Sequence, residues 1–147
     1  MVENINYGGK LFARIIHTNK FDGVFQFFTD DKYNLQVSAW NHKKGYECVP
    51  HIHNARPRTI TLVNEVVIVI SGEVLVTFYT AEGGRIADRV LRKLDICHTL
   101  EGGHGYKILT EGTRIIEVKN GPFMGDDKYD LERTLLDPNN FYANEQV

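Results

Sequence analysis

A chain of 147 residues, 42% hydrophobic and 24% charged, is sized for one globular domain with a core of its own. Its net charge of −2 excludes a general electrostatic pull toward nucleic acid or an anionic membrane. The two cysteines, Cys48 and Cys97, offer no disulfide framework and no Cys-X-X-Cys pair, so they read as free thiols in a reducing cytoplasm.

The opening Met-Val-Glu-Asn-Ile-Asn lacks a basic region followed by an apolar run, so no secretory leader is expected. Segments 11–16, 24–28 and 34–40 are rich in aromatic and β-branched residues and are predicted strands. Segment 49–53 carries two histidines, and 59–70 is a long β-rich run. Its apolar stretch 66–70 is too short to span a bilayer. Ser71-Gly72 predicts a tight turn into a strand over 73–80, and Ala81-Glu82-Gly83-Gly84 a hairpin loop into 85–92. Strands are also predicted over 95–99, 106–110 and 113–118. After Gly121-Pro122 the chain turns polar, with one short helix expected over 127–136. Many short strands between glycine turns, with no long 3.6-residue apolar period, predict an all-β sandwich or barrel. No linker divides the chain, so a single domain over 1–147 is expected.

The chemistry concentrates around His51-Ile52-His53. On a strand, residues i and i+2 share a face, so the two imidazoles would point the same way. Glu65 follows inside an apolar strand, and His104 sits in a glycine-rich turn. Imidazole suits zinc, iron, nickel and copper, and a carboxylate widens the choice toward manganese and iron. The alternative is a buried glutamate paired with an interior histidine, with no ion present.

These residues resemble the cupin family. Its first motif is matched by Gly45, Tyr46–Pro50 and His51-Ile52-His53, and then by Glu65 through Ser71-Gly72. The intervening Asn54–Asn64 is longer than the family's gap. The second motif is matched by Asp95 and His104, but Leu94 replaces its leading glycine and its proline is missing. The chain also resembles a narrower group of small cupins encoded with surface-polysaccharide enzymes. It shares His51-Ile52-His53-Asn54, Gly102-Gly103-His104-Gly105 and Ile116-Glu117-Val118-Lys119-Asn120-Gly121-Pro122 with that group.

The resemblance implies a double-stranded β-helix, or jelly-roll, barrel with a core over about 24–118. N-terminal strands within 11–28 and a C-terminal extension over 121–147 would flank it. It implies one divalent metal ion (zinc, iron, manganese or nickel) held by His51, His53, Glu65 and His104. The activity implied is that of an isomerase or epimerase acting on a small sugar or sugar nucleotide. An iron-dependent dioxygenase and a non-catalytic module binding a small ligand or metal are the alternatives, and a purely structural barrel is a third.

His98 is either an ordinary core or surface histidine, or an acid/base or supporting group. Tyr106 is the other acid/base candidate, and either Tyr106 or Lys107 should face the site. Arg56 and Arg58 are candidates for gripping an anionic substrate, as Lys107 is, because arginine forks match carboxylates and phosphates. His17 and His42 are assigned structural or solvent-facing places. Phe12, Phe21, Phe25, Phe27 and Phe28 exceed the needs of one barrel face, so a homodimer is expected.

Overall fold

The structure is a computed structural model that describes residues 1–121 and Leu136. It is all-β, with ten strands and a single 3-10 turn at Thr18–Lys20 among the described residues. The strands are β1 (Val2–Tyr7), β2 (Lys10–His17), β3 (Phe25–Phe27), β4 (Ser38–Trp40), β5 (Glu65–Ser71), β6 (Glu73–Tyr79), β7 (Arg85–Arg92), β8 (Asp95–Thr99), β9 (Gly103–Ile108) and β10 (Arg114–Lys119).

They form three antiparallel sheets, ordered β1-β2-β8-β5-β10, β7-β6-β9 and β3-β4. Among the described residues no sheet closes on itself into a barrel. The five-stranded sheet is the middle layer. Its inner face contributes Ile5, Ala13, Ile15, Val69 and Cys97, which pack with Val74, Val76, Phe78 and Leu91 of the three-stranded sheet. Its outer face contributes Ile16, Val66 and Ile96, which lie with Phe28 and Val37 beside the β3-β4 pair. Both faces of β8 are therefore covered, and all five of its residues are buried. The ion pair of Glu3 on β1 with Arg89 on β7, at 2.5 Å, adds a polar tie between the two larger sheets.

The chain passes between those sheets at Gly72. It takes φ +79°, and a Cβ there would collide with Thr110 and Thr113. A glycine is required on both counts. Leu94, in the β7–β8 turn, has φ 70°, the left-handed region that disfavours a side chain. The turn holds it there. Leu94 N–H donates to Val69 O at 2.8 Å, and Thr18 Oγ1 donates to Leu94 O at 2.6 Å. Next to it, the buried carboxylate of Asp95 accepts from Arg92 N–H at 2.8 Å and meets His17 Nδ1 at 2.7 Å. His17 is thus structural.

Several expected elements differ. β1 precedes the first predicted strand. Segments 49–53 and 59–64 carry no strand and are exposed as far as Val63, and the run predicted over 59–70 begins pairing only at Glu65. β9 starts at Gly103, three residues before its predicted start, because Gly103 and His104 pair with Tyr79 and Phe78. Phe12 and Phe28 are consumed by the chain's own core, leaving Phe25 and Phe27 exposed. The helix expected over 127–136 lies outside the described residues, apart from Leu136.

Two substitutions should move stability in opposite directions. Gly72→Ala should lower the unfolding free energy by about 2–3 kcal/mol through backbone strain and collision. Leu94→Gly should raise it by on the order of 0.5–1 kcal/mol, strain relief being partly offset by glycine's larger unfolded-state entropy. Urea denaturation midpoints measure both, and a stabilising Gly72→Ala would contradict the corner's geometry.

Candidate functional site

The inner face of the five-stranded sheet ends in a charged residue. Glu65 opens β5 and pairs with Thr99 on β8 and Lys119 on β10. Two residues along β5, Val67 on the same face is fully buried, so Glu65 sits at the rim of the core. The facing sheet supplies its partners. His104 and Tyr106 are two apart on β9 and therefore share a face. His104 Nε2 lies 3.1 Å from Glu65 Oε1, and the Tyr106 hydroxyl donates to the same oxygen at 3.1 Å. The His104 and Glu65 side chains are 26% and 14% exposed, so the cluster is sheltered yet reachable from solvent.

Burial alone would raise the Glu65 pKa. The hydrogen bond and charge of His104 oppose that, joined by the Tyr106 hydrogen bond and the Lys119 charge, and the net direction is downward. Glu65 is therefore ionised at neutral pH. Tyr106 moves strongly upward, first through burial and then through Cys97 and Glu65, so its phenol keeps its proton. His104 Nε2 faces the carboxylate, so the neutral tautomer with its proton on Nε2 has a lone pair on Nδ1. The arrangement is a carboxylate-oriented imidazole beside a neutral phenol.

His51 and His53 form a separate pair. His51 Nδ1 lies 2.9 Å from the Val49 carbonyl, which can only accept, so Nδ1 carries the proton. His51 Nε2 then faces His53 Nε2 at 3.2 Å. Both residues are exposed, in a segment without strand structure. The four expected ligands thus fall into two pairs, and no group of three or more His, Cys, Asp or Glu gathers at metal-binding distance among the described residues. As arranged, the set does not fit a four-ligand metal centre.

The remaining candidates divide as strand alternation dictates. Tyr106 faces the cluster, while its neighbour Lys107 is exposed. Arg56 and Arg58 are exposed in the same segment as the two histidines. His98 pairs with Arg14 and Val66 on the outer face, whereas Glu65 and Thr99 alternate to the inner one. It is fully buried, and its ring meets Tyr33 edge-on at 6.1 Å between centroids. It is thus turned away from Glu65. Lys119, beside Glu65 on β10, also belongs to the cluster, its charge helping to lower the Glu65 pKa. Its period-2 spacing from the core-packed Ile115 places it on the inner face.

No family model, no curated protein and no solved structure matches the chain. No helix among the described residues is long and apolar enough to cross a membrane.

Beside the cluster, Cys97 is buried, and its thiol is pushed up to about 12 by burial, with the Glu65 charge adding to the effect. Cys48 is exposed. A thiol reagent at pH 8 should therefore label Cys48 rapidly and Cys97 only after unfolding. Cys48→Ser should abolish the fast phase. Two fast thiols in the folded chain would show that the sheet interior is open.

Proposed function

We propose that this chain is a cupin-type isomerase or epimerase acting on a small sugar or sugar-nucleotide substrate, with Glu65, His104 and Tyr106 as its reactive centre. The observation that carries the reading is the convergence of His104 and Tyr106 on one oxygen of Glu65 across two sheets. The family and substrate class rest on the motif resemblance.

In the proposed reaction His104 Nδ1 removes a proton from the carbon next to a carbonyl. Glu65, on Nε2–H, holds the ring in that tautomer and stabilises the imidazolium that forms. The electron pair left on carbon moves onto the carbonyl oxygen. Tyr106, neutral, turns its hydroxyl from Glu65 to donate a hydrogen bond to that oxyanion. His104 then returns the proton: in an isomerase it goes to the former carbonyl carbon, while the hydroxyl proton of the adjacent carbon passes to the oxyanion and that carbon becomes the new carbonyl. In an epimerase the proton goes back to the carbon it left, on the opposite face, after the intermediate turns.

The exposed His51–His53 pair favours a second reading, a non-catalytic module that holds a metal through imidazoles. The homodimer belongs to the same proposal, supported by the exposed rings of Phe25, Phe27 and Trp40.

The test is solvent exchange. Incubation in D2O with a panel of ketosugars and nucleotide-linked ketosugars should place deuterium on the carbon beside the carbonyl, as read by NMR. His104→Ala should slow incorporation by about 100-fold or more. Metal analysis of the protein purified without chelator runs alongside. One bound ion per chain, lost in His51→Ala, with no exchange on any panel member would favour the binding module.

A further inference from the structure

We propose that His98 is an acid-sensitive latch: it holds the cover formed by β3, β4 and the loop between them on the middle sheet, and taking up a proton releases that cover while the two-sheet core stays folded. Three side-chain nitrogens are buried without a hydrogen-bond partner among the described residues, and they belong to one cross-strand couple. They are Arg14 Nε and both ring nitrogens of His98. A neutral imidazole tolerates such a place poorly, and an imidazolium far less, because burying a charge without an acceptor is very unfavourable.

The groups facing His98 supply no acceptor for a second cation. β2 presents Arg14, already charged, and β5 presents Val66. The cover presents Tyr33, whose ring carries the Lys32 ammonium 5.0 Å from its centroid. It also brings Asp30, but that carboxylate is exposed and committed to Arg14 Nη2 at 3.3 Å. Burial, then the Arg14 charge, pushes His98 down to about 4.

Protonation is therefore favoured where water reaches the ring, and the cover is what excludes water. An unfolded or uncovered His98 takes its proton near 6.5, whereas the covered one resists until about 4. Stability of the covered state is complete above pH 6.5 and falls as pH drops from there to 4. The cover is the part that yields. It is joined to the middle sheet by one small apolar cluster and by Arg14, whose Nη1 donates to Phe28 O and whose Nη2 donates to Asp30. Among the described residues His98 is the only fully buried histidine, and it faces the cover and not the inner cluster. Release would also free the attachment of segment 41–64, with its His51–His53 pair, which continues from β4.

Trp40, the single tryptophan, lies on β4 and reports the cover directly. His42 lies 5.5 Å from its ring and would quench it on protonation, so the experiment uses the His42→Gln protein. Trp40 emission should change between pH 6.5 and 4, with far-UV circular dichroism constant over that range. Adding His98→Leu, or His98→Asn should the leucine variant not fold, should lower the emission midpoint by about one pH unit or more. The proposal is overturned if emission and dichroism change together in the His42→Gln protein. An unchanged midpoint in the folded His98 variants overturns it equally.

Discussion

The structure depends on how a carboxylate is accommodated between two β-sheets. Glu65 begins β5 in the middle sheet, and its side chain points to the face that the core occupies. An ionised group there requires partners, because isolated burial of a charge is far costlier than any one contact returns. The partners come from the opposite sheet, at His104 and Tyr106. That constraint sets the alignment of β9 over β5. It also accounts for the titration pattern: an ionised Glu65, a phenol that keeps its proton, and a Cys97 thiol raised by burial nearby. The same contacts that tie the sheets together leave His104 with one free nitrogen in a sheltered, solvent-reachable place.

Much of this architecture is legible in the chain. The runs beginning at Glu73, Arg85, Asp95 and Arg114 combine β-branched residues with glycine punctuation and form strands close to their expected bounds. Gly72 falls where the backbone demands it. What escapes sequence reasoning is pairing. Val49–His53 and Thr59–Val63 have the composition of strands, but composition does not supply a neighbouring edge, and they remain unpaired. Conversely, Gly103, His104 and Gly105 have little strand propensity and become strand because β6 lies beside them. Val2–Tyr7 buries only Ile5, too little for an alternation pattern to reveal it.

The site is legible in the same uneven way. Glu65, His104 and Tyr106 are marked by residue type and motif, and strand alternation turns Tyr106 toward Glu65 and leaves Lys107 exposed. His98 is the instructive case. It lies six residues before His104, yet β8 and β9 belong to different sheets and the parity of β8 sends it to the other face. There it meets Arg14, whose presence no local pattern foretells, because β2 and β8 are distant in sequence. Histidines outside the Glu65 cluster take on jobs set by their surroundings: His17 braces Asp95 beneath a strained turn, and His42 stacks on Tyr46 at 3.6 Å.

A double-mutant cycle between Glu65→Ala and Tyr106→Phe, read by chemical denaturation, tests most directly whether Glu65 joins the sheets. Coupling of about 1 kcal/mol or more is expected, because each change removes the other's cross-sheet partner. Effects that add to within about 0.5 kcal/mol would contradict the account, since residues that do not interact behave that way.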